Sequence, residues 1–295
     1  MKNPTVQDDL QESTAEKERT AVNPEELDDG TFGAIKDFIY NKCGITLGDG
    51  KKPLVSARIR KRMRGLRIIS PRDYFKYILD DPTGIEIVML LDSISTNVTS
   101  FFREAGHFDF LKENMSECLK KGQSRFRFWC AASSSGEEPY SMAFTIKEAL
   151  DARKAGVDVK ILASDISTKV LGLAHEGMYS ESRISAVPGE YMEKYFNKIS
   201  GPRGNNYMVK QEVKDMLVIR RINLTEMPFI MKGPMDMIFC RNVMIYFDKQ
   251  LRKKLIEEFH RLIKPGGFLV VGHTESLIDL NVKFKRMGPS IYAKQ

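Results

Sequence analysis

The sequence predicts an α/β protein: a mainly parallel sheet with helical crossovers, preceded by an all-α domain and interrupted by a small β insertion. Beyond residue 125, apolar runs of strand length take turns with helical patterns, the rhythm of right-handed crossovers. Residues 30 to 120 carry helical periodicity and no convincing strand. Between about 178 and 222 the alternation is broken by a short helical stretch and two alternating segments.

Taken in order, residues 1 to 28 are rich in Gln, Glu, Asp, Thr and Lys and read as a disordered tail. An all-helical domain then spans 29–120. Phe32, Ile35, Phe38 and Ile39 share one helical face, and further helices are predicted at about 53 to 66, 71 to 80, 84 to 95 and 105 to 120. The α/β domain, 121–295, reads as strand 125 to 131, helix 138 to 155, strand 159 to 165, helix 168 to 175, strand 235 to 241 and helix 248 to 263. Lys264-Pro265-Gly266-Gly267 breaks into a strand at Phe268, and residues 284 to 293 read as a closing antiparallel hairpin. Within the insertion at 178–222, a helix is expected at 187 to 196. A β-hairpin is expected from Tyr207 to Glu212 and Met216 to Arg221, joined at Lys214-Asp215. It could offer a docking edge for an extended peptide or lid a cleft.

The formal net charge of +7 favours acidic partners, without choosing among nucleic acid, anionic lipid and protein. The four cysteines form no Cys-x-x-Cys pair, as expected of reduced thiols in a cytoplasmic protein. No apolar run approaches the ~20 residues that span a bilayer, and the amino terminus lacks a signal-peptide core.

Three strand ends carry polar groups where open α/β sheets bind ligands. Phe126 to Ala132 runs into Ser133-Ser134-Ser135-Gly136-Glu137-Glu138, Val159 to Ser164 runs into Asp165, and Phe239-Cys240 runs into Arg241-Asn242-Val243. Small residues allow close backbone approach, and an acid after the second strand can accept from both hydroxyls of a ribose. The combination suggests an adenosine-containing cofactor. His107, His175, His260 and His273 are scattered without ligand spacing, so no metal site is expected.

Five segments, Thr96-Asn97-Val98-Thr99-Ser100-Phe101-Phe102-Arg103-Glu104, Gly136 to Ser141, Ala163 to Ile166, Asn223-Leu224 and Phe239 to Asp248, resemble in sequence and order the chemotaxis receptor methyltransferase family, CheR. The resemblance covers roughly residues 30 to 295. It implies a Rossmann-like class I S-adenosylmethionine-dependent methyltransferase domain with an inserted β-subdomain, preceded by an all-α domain. It further implies methyl transfer to glutamate side chains on the cytoplasmic helices of chemoreceptors.

A glutamate carboxylate is already ionised at neutral pH, so the reaction requires alignment more than a general base. By resemblance Arg103 orients reactants at the cofactor, Tyr246 lies near the sulfonium methyl, and Arg241 aids substrate or fold. Asp165 is expected at the ribose, Asn242 and Val243 along the cofactor, Asn97 and Thr99 at its amino-acid end, and Asn223 with Leu224 near the adenine. One of Glu137 and Glu138 is expected to contact it too. The basic segment with Arg58, Arg60, Arg62 and Arg64 sets cations opposite an apolar face of Val55, Ile59, Met63 and Leu66, a surface to steer acidic receptor helices. A receptor C-terminal peptide at the β-subdomain, no nucleic acid, no membrane insertion and a monomer complete the expectations. The rival readings are a catalytically idle receptor adaptor or sensor, and a nucleic-acid methyltransferase, for which Cys240 would be the thiol to consider.

Overall fold

A computed structural model describes residues 23–94, 98–151, 156–202 and 204–295. The chain forms two compact units, one from residues up to 40 together with 47–94, the other from 41–46 and 95–295.

The first unit is helical. Helix α1 (Asp29–Cys43) supplies its first part, followed by α2 (Lys52–Leu66), α3 (Pro71–Asp80) and α4 (Ile85–Ile94). Pro71 follows an N-cap at Ser70, whose side chain accepts from the Asp73 amide, the arrangement that starts a helix at least cost. Val55, Ile59 and Met63 are fully buried along α2, whereas Leu66 is half-buried. Residues 1 to 22 of the expected tail lie outside the described residues. The chain is anchored earlier than expected: Leu27 is buried, the Glu25 amide donates to the Ile69 carbonyl, and Asp28 accepts from the amide and hydroxyl of Thr31.

The second unit begins with α5 (Gly106–Lys120). The sequence assigned this helix to the all-α domain, but Phe108, Leu111, Met115 and Leu119 enter the same core as Phe126, Phe128 and Phe144. Its apolar stripe is filled by the sheet, and periodicity alone cannot say which neighbour fills a stripe.

The alternation then runs through β1 (Arg125–Ala131), α6 (Glu137–Asp151), β2 (Asp158–Asp165) and α7 (Thr168–Glu176). After the insertion come β6 (Leu217–Arg221), β7 (Met235–Cys240), α10 (Lys249–Leu262), β8 (Ile263–Val271), β9 (Phe284–Gly288) and β10 (Ile291–Lys294). The seven-stranded sheet has the order β6-β2-β1-β7-β8-β10-β9. The first five strands are mutually parallel, and β10 is antiparallel to both neighbours. Alternate residues of β1 feed opposite faces: Phe126, Phe128 and Cys130 one core, Trp129 and Ala131 the other, which α10 covers with Leu255, Ile256, Phe259 and Leu262. Chain direction across the sheet reverses between β1 and β7, so the carboxyl ends of these strands form the crevice where doubly wound folds bind ligands.

The insertion differs from expectation. It holds β3 (Met178–Ser180), α8 (Gly189–Tyr195), β4 (Phe196–Gly201), β5 (Gly204–Val209) and the short helix α9 (Gln211–Lys214). The hairpin is β4–β5, turning at Gly201 and Gly204, with β3 on the other side of β5. Lys214-Asp215 ends the helical turn α9, and Leu217–Arg221 is the parallel edge of the main sheet beside β2. An alternating segment reads alike on a detached hairpin and on a half-exposed sheet edge, which is how the two were confused.

Candidate active site

The strand ends are level. Ala131 is in register with Ser164 on one side and Cys240 on the other, and Cys240 with Val271. Four loops therefore emerge along one edge of the sheet.

The loop after β1 is held in an unusual conformation. Ala132, Ser134 and Gly136 have φ of 71°, 48° and 100°, left-handed values that side chains beyond glycine tolerate poorly. Its bonds supply the compensation. The Ser133 amide donates to the Ser164 carbonyl at 2.8 Å, and the Ser134 amide to the Asp165 carboxylate at 2.9 Å. A Cβ on Gly136 would lie 2.7 Å from the Tyr179 hydroxyl, so only glycine fits. Asp165, which ends β2, also accepts from the Ser167 amide at 3.0 Å. It is thus a brace for the loop as well as the expected ribose acceptor, and a carboxylate with about four acceptor positions can serve both. The Ser133 hydroxyl is buried without a hydrogen-bond partner, a condition that costs free energy unless a ligand engages it. A close-approach loop, an orphaned hydroxyl and an acid at the neighbouring strand end fit an adenosine-type cofactor.

Glu137 and Glu138, which sequence could not separate, have different settings. Glu137 is buried and bound by Arg183, with the Ser135 hydroxyl donating to it at 2.9 Å. Glu138 is half-buried and accepts from Arg241 at 2.6 Å.

Arg241 is the hub of the third strand end. Its fully buried side chain pairs with Glu138 at 2.6 Å and Glu104 at 3.1 Å and donates to the Arg103 carbonyl. Burial opposes its charge, but the two carboxylates outweigh burial and raise its pKa above the ordinary arginine value. Burial likewise pushes the Glu104 carboxyl up, and Arg241 more than reverses this, leaving it below the usual range. Arg241 therefore fixes the segment bearing Arg103 to the strand ends, a role from within the fold.

Arg103 is half-buried and donates to the Val98 carbonyl at 3.3 Å. It is flanked by left-handed Phe102 and Glu104, with φ of 52° and 59°. Phe101 anchors the segment against Phe144, Tyr179 and Phe196, and the Phe102 amide donates to the Ser141 hydroxyl. Thr99 is half-buried on the same segment; Asn97 lies outside the described residues.

Asn242 also has a left-handed backbone, φ 57°, and the side chain that holds it was missed by sequence reasoning. Glu275, buried after β8, accepts from four amides: Asn242 at 2.8 Å and Gly272 at 2.7 Å on one oxygen, Met244 at 2.8 Å and Ile245 at 3.3 Å on the other. Burial raises its pKa above the usual carboxylate value, with the four amides pulling against that. A polar residue three positions beyond a strand-end glycine was the available signal. This carboxylate sets the start of the 3-10 turn Met244–Tyr246, which carries half-buried Tyr246. Val243 is half-buried in the same loop.

Two sets of expected site residues have partners within the fold. The Asn223 side-chain amide is committed to a local turn, accepting from the amide and hydroxyl of Thr225 and donating to the Lys42 carbonyl and Glu226, so its side chain is occupied, while Leu224 is buried. On α2, Arg62 is tied to buried Glu86, which also accepts from Tyr74, and Arg58 donates to the Ser93 carbonyl. Arg62 is therefore a packing cation of the helical unit, leaving half-buried Arg60 and exposed Arg64 as the better surface candidates. Cys240 is fully buried and its thiol pushed well up by burial, the wrong state for a nucleophile.

Folding brings together two histidines that sequence spacing kept apart. Glu104, His107 and His273 each place a donor atom within 4.8 Å of the others. Arg241 already engages Glu104, so a cation there would face a buried guanidinium, and burial followed by Arg241 lowers His107 to a pKa of about 4.

Both parts of the chain match family models. Residues 30–95 match the all-alpha domain of CheR methyltransferase, and residues 97–293 match its SAM binding domain. The chain is 36% identical to the chemotaxis protein methyltransferase of Salmonella typhimurium over 90% of its length and 91% of the relative's. It is also 36% identical to chemotaxis protein methyltransferase 2 of Pseudomonas aeruginosa, covering 89% and 92%, and 35% identical to the Escherichia coli protein, covering 90% and 91%. The chain is an S-adenosylmethionine-dependent methyltransferase and belongs to the CheR methyltransferase family.

Proposed function

We propose that the protein methylates glutamate side chains on the cytoplasmic helices of chemoreceptors, forming glutamyl methyl esters, from within the cytoplasm. The observation that carries this reading is the match of both family domains, in order, over residues 30–95 and 97–293. Among the described residues no helix is long and apolar enough to cross a membrane.

When bound, S-adenosylmethionine would supply a sulfonium methyl group, to whose carbon a carboxylate oxygen bonds as the carbon–sulfur bond breaks, the sulfur keeping the bonding pair and leaving as S-adenosylhomocysteine. The protein's part is positioning, worth up to ~7 to 11 kcal/mol in favourable cases. Asp165 accepts from the ribose hydroxyls while bracing the β1 loop. Ser133 offers its hydroxyl, and Asn242 and Val243 offer side chain and backbone along the cofactor. Arg103 grips and aims the acceptor carboxylate, since a guanidinium fork matches carboxylate geometry; Arg241 and Glu104 hold it in place. Tyr246 contributes an aromatic face to the cationic centre, an attraction of ~0.5 to 2 kcal/mol. No base is required, which suits a site whose nearby imidazole, His107, is held by burial to a pKa of about 4 and is therefore a weak base. Arg60 and Arg64 steer the acidic receptor helices, and the exposed edge strand β4 offers backbone pairing to an extended receptor peptide.

The test is transfer of labelled methyl from S-adenosylmethionine to chemoreceptor-containing membranes, followed by mild base. Base-labile label on receptor is the expected result. Label that resists base, or cofactor binding without transfer, would overturn the assignment.

A further inference from the structure

The β1 loop is held in part by side chains of the inserted subdomain. Tyr179, the central residue of β3, donates its hydroxyl to the Ser135 carbonyl at 2.7 Å. Arg183, four residues on, donates to the Ser135 hydroxyl at 2.6 Å and to the Glu137 carboxylate, and its guanidinium lies 5.2 Å from the Tyr179 ring centre. Glu137 is 1% exposed, and among the described residues Arg183 is the cation paired with it. A buried carboxylate at the start of α6 thus depends on a side chain from the inserted subdomain. The same strand continues the subdomain sheet: Tyr179 is in register with Tyr207 of β5, whose other neighbour is the edge strand β4.

We propose that Arg183 is a positioning residue for the cofactor loop, and that through Arg183 and Tyr179 the three-stranded subdomain and the cofactor pocket share one binding equilibrium. The inference rests on the reading of that loop as the S-adenosylmethionine site. Loop residues with left-handed backbones keep their conformation only when several contacts over-determine it. Ser164 and Asp165 supply contacts from within the main sheet, and Arg183 and Tyr179 supply further ones from outside it. Coupling of this kind is reciprocal: a cofactor that tightens the loop tightens β3 and β5, and anything that shifts β3 alters cofactor affinity by the same factor.

The experiment uses the full chain and S-adenosylhomocysteine as probe, with calorimetric titration and amide hydrogen exchange read together. In the unaltered protein, the probe slows exchange in residues 133–137 and also in β3 and β5. Arg183→Met weakens the probe by at least about fivefold and confines the protection to the loop, while far-ultraviolet circular dichroism stays that of the unaltered chain. Arg183→Lys, which keeps a charge beside Glu137 but loses the fork, falls between the two, and replaces Arg183→Met if that variant fails to fold. A merely structural arginine would lower thermal stability without moving probe-induced protection out of β3 and β5. Affinity within twofold of the unaltered chain in these variants, or β3 and β5 amides indifferent to the probe in the unaltered protein, would overturn the proposal. Failure of the unaltered chain to bind the probe would overturn the cofactor reading along with it, which separates the two failures.

Discussion

Replacing Glu275 by Gln keeps shape and volume while removing one oxygen from a carboxylate that accepts four backbone amides. The amide oxygen can serve one pair of donors. The other pair, either Asn242 and Gly272 or Met244 and Ile245, then faces an NH2 group. Hydrogen bonds to a charged acceptor contribute ~1.5 to 3 kcal/mol each, so losing two costs about 3 to 6 kcal/mol. Removing a buried charge returns part of this, since burial pushes Glu275 above the ordinary carboxylate pKa. A net loss of about 2 to 3 kcal/mol remains, equivalent to a fall of roughly 4 to 12 °C in unfolding temperature for a unit of this size. Trp129 is the chain's single tryptophan and is fully buried in the same sheet, so its fluorescence reports this unit selectively. Because the carboxylate sets Asn242 and the turn before Tyr246, affinity for S-adenosylhomocysteine falls as well. A stability change below about 1 kcal/mol with unchanged affinity would show that the four amides do not depend on the carboxylate.

Arg62→Ala leaves buried Glu86 with Tyr74 as its remaining side-chain donor and is expected to destabilise the helical unit by about 3 kcal/mol or more; faster amide exchange in α2 and α4, partly restored by adding Glu86→Gln, would check it. Neutralising Arg60 and Arg64 together is expected to raise the KM for receptor and flatten its salt dependence at constant S-adenosylhomocysteine affinity, and equal kinetics across ionic strength would refute steering. Asp165→Asn is expected to weaken S-adenosylhomocysteine about tenfold or more, since it loses a ribose acceptor and one brace of the β1 loop; unchanged calorimetric affinity would refute the ribose role. His107 titrates near pH 4 in the folded chain against the ordinary 6.5, so the unfolded state takes up its proton first as pH falls. The resulting loss of stability develops between about pH 6.5 and pH 4 and reaches at most about 3 kcal/mol. A nuclear magnetic resonance midpoint near 6.5 would refute its burial in the neutral form.

The parallel sheet was legible because each of its strands ends in a change of character that one chain can show by itself: Ala131 into serines, Ser164 into Asp165, Cys240 into Arg241. Partnership was less legible. Helix α5 has the same stripe whether helices or a sheet fill it, and Leu217–Arg221 alternates equally well as a hairpin arm and as a sheet edge, so both were placed with the wrong neighbour. The same limit applied at the site. Strand-end residues stood out, whereas Glu275 and Arg183 act on loops 30 to 50 residues away in sequence, and no local pattern distinguishes a carboxylate that accepts four amides from one in solvent. Arg62 shows the converse. Its place in a run of cations suggested a recognition surface, but a run cannot reveal that one member is matched by a buried acid on another helix.

The inserted subdomain leaves and rejoins the main chain at nearly one point. The Val209 amide donates to the Gly177 carbonyl at 2.9 Å, and Lys214 donates to the Glu176 carbonyl at 2.6 Å. Such a closed neck lets a segment between its two sides be lengthened, shortened or replaced without redirecting the flanking elements. The hairpin from Phe196 to Val209 is therefore a cassette open to exchange in the laboratory. Tyr179 and Arg183 lie within the insertion but outside that hairpin and would stay behind, so a transplanted hairpin that pairs with β3 would inherit the existing linkage to the β1 loop.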